Sequence, residues 1–213
     1  MRYATELVAR LLPDPQGGSR EVLVALLHEL ARGHPVRQET VATTLGWSAE
    51  RVAAQLAQEL SVEYDPDNNV IGYGITLRET AHAFEIDGRR LYTWCALDAL
   101  MFPVLLGKTA RVFSRCPATR LPVSLMVSPD GLQNVEPATA VVSLPLPEST
   151  GNVRSSFCCH VHFYASDSAA RQSISANPGM KLLNVQDAFC LGREIAGLLA
   201  EGTPLGRQQG STR

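Results

Sequence analysis

The chain has 213 residues, with 45% hydrophobic and 19% charged residues and a net charge of −2. This balance is typical of a globular protein and excludes a largely disordered chain. It also lacks the basic excess of proteins that bind nucleic acid or membrane surfaces. The longest apolar stretch, residues 96–107, contains Asp98 and Pro103 and is too short for a membrane span of about 20 residues.

The cysteines indicate a cytoplasmic protein with reduced thiols. Their number is odd and their spacing forms no regular framework, unlike that of disulfide-rich secreted domains. Glu6 and Arg10 interrupt the N-terminal segment, which is therefore a poor secretory signal. The five cysteines are Cys95, Cys116, Cys158, Cys159 and Cys190.

Residues 1–80 predict a winged-helix-like unit of three helices and a hairpin. Residues 21–32 have apolar positions at helical spacing and are followed by Gly33, which predicts a helix end. Residues 38–45 form a second short helix. Ser48 is expected to cap a third helix, with apolar positions at Val52, Leu56 and Leu60. Strand-like runs at 63–65 and 70–77 flank the turn residues 66–69.

This pattern raises DNA binding as an alternative, but the charge of the unit argues against it. Residues 1–80 contain seven Arg, no Lys and eleven acidic residues, a net charge of −4. The third helix carries Arg51 but also Glu50 and Glu59. Neutralising phosphates supplies most non-specific affinity for DNA, so an acidic unit is a weak DNA binder. We therefore expect a packing or covering role for this unit.

Residues 81–213 predict a second, catalytic domain of mixed α+β structure with an antiparallel sheet. A tight turn at Asp87-Gly88 joins two of its strands. Residues 94–106 form an apolar helix that bends or ends near Pro103 and Gly107. Residues 145–152 are expected to be a mobile loop and residues 201–213 a frayed tail. The other predicted elements are strands at 83–86, 90–92, 110–115, 123–127, 140–144 and 156–164, and a helix at 184–200.

Two cysteine-bearing segments carry the residues of a candidate site. On a helix, Cys95 and Asp98 stand three residues apart and face the same side, so the carboxylate can exchange a proton with the thiol. On a strand at 156–164, Cys158, His160 and His162 would face one way and Cys159 the other. If the two segments meet, they supply two thiols and one acid.

Three other interpretations of these residues stay open. A zinc-binding winged-helix regulatory protein could use Cys95, Cys116, Cys158, Cys159, His160 and His162, although no C-x₂₋₄-C pair is present. A thiol protease or acyltransferase could use Cys95, His160 and Asp98, although no local signature supports it. Finally, the cysteines could simply be buried apolar residues, as the surroundings of Cys190 favour.

Four runs strongly resemble the organomercurial lyase family, also called the alkylmercury lyases. They are residues 63–65, 71–80, 91–98 and 156–163, and they include Trp94-Cys95-Ala96-Leu97-Asp98 and Phe157-Cys158-Cys159-His160. The resemblance extends from about residue 23 to about residue 192. Because several long runs occur in the family's order, the resemblance is specific.

The resemblance implies mercury detoxification by protonolysis of the carbon-mercury bond of alkyl and aryl mercurials, which gives a hydrocarbon and Hg(II). The family's catalytic set falls on Cys95, Asp98 and Cys158, which would also hold the Hg(II) product. Its structurally placed cysteine matches Cys116. Cys159 matches a neighbour that family members often lack or can dispense with, and whether it assists stays open.

The resemblance and the chemistry of mercury lead to further expectations. Trp94, Phe157 and Tyr92 are candidates for an apolar wall that receives the organic substituent. No organic cofactor is expected, because the cleavage needs neither a redox carrier nor activated water. Low-molecular-weight thiols and mercuric reductase are the expected acceptors of Hg(II), with no nucleic acid or membrane partner. The substrate range, the order of thiol attack, the oligomeric state and the role of the N-terminal unit stay open.

Overall fold

The structure, a computed structural model, describes residues 2–12, 17–145, 152–175 and 179–201. Most of the predicted mobile loop and nearly all of the predicted tail lie outside these residues. The described helices are α1 (Arg2–Leu11), α2 (Ser19–Leu30), α3 (Gln38–Leu45), α4 (Ala49–Leu56), α5 (Ala96–Leu106), α6 (Val153–Ser156), α7 (Asp167–Ile174) and α8 (Val185–Ala200). The described strands are β1 (Glu63–Tyr64), β2 (Val70–Tyr73), β3 (Ile75–Thr76), β4 (His82–Ile86), β5 (Arg89–Thr93), β6 (Ala110–Arg115), β7 (Pro122–Ser128), β8 (Gly131–Glu136), β9 (Val141–Pro145), β10 (Phe163–Tyr164) and β11 (Met180–Asn184).

The predicted winged-helix-like unit is formed by α2, α3, α4 and the antiparallel pair β1 and β2. The Ser48 side chain caps α4 by accepting a hydrogen bond from the Arg51 N–H, as predicted. The third helix is shorter than predicted, since it ends at Leu56. Leu60 lies beyond it and is 71% exposed, so its inclusion in that helix was wrong.

Helix α1 was not predicted. It contacts α8 near the other end of the chain, and Ala4, Leu7 and Val8 are buried. Tertiary packing against a distant helix therefore stabilises this segment. Its apolar residues recur at helical spacing, a local signal that the prediction overlooked.

The main sheet has eight strands in the order β1-β2-β3-β5-β4-β6-β7-β8, and every pair is antiparallel. Strand β3 pairs with β5 through Ile75 and Thr93, so the sheet runs without interruption past residue 80. The domain boundary drawn there stays a prediction. The predicted α+β class with an antiparallel sheet is confirmed.

The core is centred on α5, which packs against α8 and several strands of the main sheet. The backbones of α5 and α8 come close at Gly192, where a Cβ would lie 3.4 Å from atoms of Met101. A second close approach occurs at Gly74, which has a φ of +82° and where a Cβ would lie 2.5 Å from the Phe102 ring. Only glycine fits there without strain.

The predicted strand at 156–164 was wrong over most of its length. Residues Val153–Ser156 form α6, Cys158–His160 form a 3₁₀ turn, and only Phe163–Tyr164 form strand β10. Strand β10 joins β9 and β11 in a second, three-stranded antiparallel sheet. Local hydrogen bonds replace strand pairing here: the Asn152 side chain accepts from the Ser155 N–H and caps α6, and the Val161 N–H donates to the Cys158 carbonyl across the 3₁₀ turn.

Candidate active site

Cys95 and Asp98 form a capping box at the start of α5. The Asp98 N–H donates to Cys95 Sγ at 3.4 Å, and the Cys95 N–H donates to Asp98 Oδ2 at 3.1 Å. The sequence predicted Cys95 to lie within the helix, whereas the structure shows that it is the N-cap. Both side chains lie where the helix presents unpaired N–H groups and the positive end of its dipole.

Cys158 approaches this helix end from the 3₁₀ turn. The His160 N–H donates to the Phe157 carbonyl, and the Val161 N–H donates to the Cys158 carbonyl at 3.1 Å. Cys158 is 4% exposed, whereas its neighbour Cys159 is exposed. The two neighbouring cysteines were expected to face opposite sides of a strand, and they do differ in burial, but a 3₁₀ turn rather than strand alternation separates them.

A backbone hydrogen bond brings the two segments together. The N–H of Ala96, which follows Cys95, donates to the carbonyl of Val161 at 3.1 Å. As a result, one ligand atom from each of Cys95, Asp98 and Cys158 lies within 4.8 Å of the other two. Cys116, His160 and His162 do not belong to this cluster, and no other potential metal-binding group of three such side chains occurs in the described part of the chain.

Burial controls the protonation of the three groups. It raises the pKa of the Cys95 thiol well above its ordinary value, and the hydrogen bond to Cys158 and the charge of Asp98 act in the same direction. Burial also raises the pKa of the Asp98 carboxyl to about 7, although hydrogen bonds from Cys95 oppose it. The low-dielectric surroundings disfavour the charged forms. The carboxyl can therefore both accept and return a proton near neutral pH.

Several opposing effects act on the Cys158 thiol. The hydrogen bond that it receives from Cys95 lowers its pKa, and the positive charge of Arg154 does the same to a smaller extent. Burial and the charge of Asp98 outweigh them, so the pKa of Cys158 is raised. Both thiols are consequently protonated in the unliganded site, and a ligand that binds their sulfur must displace a proton.

A cavity of about 100 Å³ opens beside the cluster, and its walls are almost entirely apolar. Asp98 and Cys158 line it together with Trp94 and Phe157, two of the three residues predicted to receive a substituent. Tyr92, the third, is not among the lining residues. It lies within the main sheet, paired with Ala83 on β4 and Thr76 on β3, so its predicted contact with substrate has no support in this geometry.

The N-terminal unit, with α1, supplies part of the cavity wall. The sequence had left the role of this unit open. The remaining lining residues are Leu7, Val8, Leu11, Leu12, Leu23, Tyr73, Gly74, Leu97, Met101, Phe102, Val153, Ile195 and Leu199. Sequence reasoning missed these residues because aliphatic side chains at helical spacing carry no sign of a site. Among them, the Tyr73 ring packs against the Trp94 ring in a T-shaped arrangement with 6.0 Å between the centroids.

Cys116 lies apart from the cluster, just after β6. It is fully buried, and its backbone closes a turn through hydrogen bonds with Leu121 and Arg120. Burial alone would raise the pKa of its thiol, but hydrogen bonds from Thr119 and from the backbone of Ala165 lower it. Its structural role stays a prediction, to which this environment gives a physical basis.

Within the described residues, no helix is both long and apolar enough to cross a membrane.

Comparisons with known proteins agree over most of the chain. The family model for alkylmercury lyase matches residues 75–197, and the model for the helix-turn-helix domain of alkylmercury lyase matches residues 2–74. Alkylmercury lyase from Pseudomonas putida is 54% identical over 84% of this chain and 85% of its own. That from Streptomyces lividans is 44% identical over 95% of this chain and 97% of its own.

A solved structure shares the fold. The mercury-bound form of MerB2 aligns with a TM-score of 0.75, covering 93% of this chain and 97% of that one at 21% sequence identity.

Proposed function

The chain belongs to the alkylmercury lyase family, and we propose that it cleaves the carbon-mercury bond of alkyl and aryl mercurials by protonolysis. The observation that carries the proposal is the buried cluster of Cys95, Asp98 and Cys158, whose ligand atoms lie within 4.8 Å of one another beside an apolar cavity. Mercury is a soft cation that prefers thiolate sulfur, and the cleaved carbon needs a proton donor. The cluster contains both.

The reaction begins with ligand exchange at mercury. One cysteine sulfur replaces the ligand that the mercurial carries opposite carbon, and the second sulfur then binds. Of the two thiol protons released, one leaves with the displaced ligand and the other passes to Asp98. Metal binding overcomes the raised pKa of both thiols, because the sulfur-mercury bond forms as the proton departs. The order in which Cys95 and Cys158 attack is left open.

The two bound sulfurs promote cleavage of the carbon-mercury bond. Each thiolate donates electron density to mercury and so increases the negative charge on the attached carbon. Asp98 then donates its proton to this carbon, the electron pair of the carbon-mercury bond becomes the new carbon-hydrogen bond, and the hydrocarbon leaves. Burial favours the protonated carboxyl, whose pKa is about 7, so Asp98 is suited to this step.

The organic substituent lies against the apolar wall in this proposal. Trp94 and Phe157 flank the two cysteines in sequence and line the cavity. Burying an alkyl or aryl group there stabilises the complex by roughly 25 cal/mol for each Å² removed from water. No organic cofactor takes part, since neither a redox carrier nor activated water is required.

Release of Hg(II) requires competing thiols, because two thiolates hold the ion tightly. We propose that low-molecular-weight thiols and mercuric reductase accept it. We also propose that the reaction takes place in the cytoplasm, because this exchange needs reduced thiols and cysteines are kept reduced there. All five cysteines of the chain are unpaired.

The test is an assay for the hydrocarbon. The protein is incubated with a labelled arylmercurial and excess small thiol, and free arene is measured by gas chromatography. We expect arene well above the level of the enzyme-free reaction. No arene above that level would overturn the proposed activity, and full turnover by Cys95→Ala would overturn the assignment of this residue.

A further inference from the structure

The one-turn helix α6, which leads to Cys158, is held from outside by the N-terminal unit. The Asn152 side chain caps α6 and donates from Nδ2 to the Leu60 carbonyl at 2.9 Å. Two residues later, Arg154 forms an ion pair with Glu63 of β1. A helix of four residues is not stable by itself in water. The position of α6 therefore depends on these two contacts and on the packing of Phe157.

The Glu63 carboxylate is buried and held by specific contacts. Its side chain is only 6% exposed, and Oε2 accepts a hydrogen bond from Thr76 Oγ1 at 2.5 Å. The carboxylate lies directly over Gly72, where any Cβ would collide with it. A buried carboxylate is costly unless a cation and hydrogen bonds compensate it. Thr76 and Arg154 provide these compensating contacts.

Arg154 has a second contact, on the side of the other catalytic segment. Its guanidinium carbon lies 5.3 Å from the centroid of the Trp94 ring, a distance suited to a cation-π interaction. Trp94 directly precedes Cys95 and lines the cavity. Arg154 thus joins three parts of the molecule: the segment of Cys158, the segment of Cys95 and the N-terminal unit.

We propose that Arg154 is a positioning residue for the lyase reaction: paired with Glu63 and lying over Trp94, it holds the Cys158 thiol opposite Cys95. This inference rests on the proposed function and gives the N-terminal unit a part in it, through Glu63. Two sulfurs bind one mercury atom tightly only when both are held at the correct separation, because the second then binds with a high effective concentration. Small displacements of a reacting group lower rates strongly.

The test compares variants of the full-length protein. Arg154→Met and Glu63→Gln each break the ion pair, and Arg154→Lys keeps the positive charge while removing the planar group over Trp94. If Arg154→Met does not fold because Glu63 is left buried without a cation, the double variant Glu63→Gln/Arg154→Met takes its place. The matched control is Arg171→Met, which breaks the exposed ion pair with Asp167 on α7.

Two measurements are made on each variant. The first is the rate of arene release at saturating arylmercurial, with KM determined separately. The second is retention of Hg(II) against a competing small thiol, followed by the ultraviolet absorption of mercury-thiolate bonds. Retention requires no turnover, so it tests the positioning of Cys158 even if the proposed reaction fails.

We expect Arg154→Met and Glu63→Gln each to lower kcat roughly 10- to 100-fold with a smaller change in KM, and to weaken Hg(II) retention. The double variant should lose no more than the worse single variant, because both substitutions remove one interaction. Arg154→Lys should recover part of the rate, and Arg171→Met should match the wild type. Values within twofold of the wild type in both single variants would overturn the proposal, as would strictly additive losses in the double variant.

Discussion

The Ala96 N–H donates a 3.1 Å hydrogen bond to the Val161 carbonyl, and this bond joins the start of α5 to the turn that carries Cys158. It lies one residue from Cys95 and three from Cys158. Because it involves only backbone atoms, substituting either cysteine side chain leaves both of its partners in place. The predictions below test what this arrangement does chemically and how it is maintained.

Replacing Asp98 with Asn should strongly lower turnover while preserving the fold. The Asn oxygen can still accept the hydrogen bond from the Cys95 N–H, so the helix cap remains. The amide cannot carry a proton to carbon, and we expect arene release to fall about 10²- to 10⁴-fold, the usual contribution of a general acid. Gas chromatography and a thermal melt by circular dichroism check the two parts. A rate within tenfold of the wild type would rule out Asp98 as the proton donor.

The raised pKa of Asp98 should make the wild type lose stability between about pH 4 and about pH 7. The folded-state pKa of about 7 lies above the reference value of 3.8, so the folded protein binds more protons in this window. Stability from this group is complete below the reference value and falls as pH rises through the folded value, by at most about 1.4 kcal/mol per pH unit.

This pH dependence is measured by urea unfolding of the wild type and Asp98→Asn in parallel at several pH values. The difference between the two cancels the contributions of other titrating groups. The stability of the wild type relative to the variant should decrease from pH 4 to pH 7. A difference that stays constant across this window would show that Asp98 titrates normally.

The neighbouring cysteines form a matched pair for mutagenesis. Cys158→Ser removes a buried sulfur of the cluster, so it should reduce arene release to the background rate. Cys159→Ser changes an exposed thiol and should keep the rate within about threefold, since exposed substitutions are usually tolerated. Single-turnover assays on both proteins distinguish the two positions. Equal losses in the two variants would mean that the exposed thiol also takes part.

Gly74→Ala tests the packing behind the cavity. The added Cβ would lie 2.5 Å from the Phe102 ring at a φ of +82°, and we expect a loss of about 2–4 kcal/mol from strain and overpacking. Gly88→Ala is the control, because Gly88 has a similar φ of +73° but no atom within 4 Å of the added Cβ. Urea unfolding should show a clearly smaller loss for Gly88→Ala. Equal losses would assign the effect to φ alone.

Much of the fold could be predicted because its signals are local. Three examples are the apolar run of α5, the Ser48 cap and the alternation along β6. Each of these signals is contained within a short stretch of sequence. The segment around Cys158 misled the prediction, since its β-rich composition competes with the capping side chain of Asn152. Helix α1 had a local amphipathic pattern that was overlooked, whereas the pair of Glu63 with Arg154 joins distant residues and has no local signal. The cluster itself was anticipated through family resemblance, whereas spacing alone only placed Cys95 near Asp98.

The most direct test is single-turnover cleavage of a phenylmercury compound by the wild type in D₂O with excess thiol. Protonolysis predicts benzene that carries one deuterium, at the carbon that had been bonded to mercury, with no such product above background from Cys95→Ala, Cys158→Ser or Asp98→Asn. No benzene above the enzyme-free control, or equal amounts from the wild type and these variants, would contradict carbon-mercury cleavage by this site.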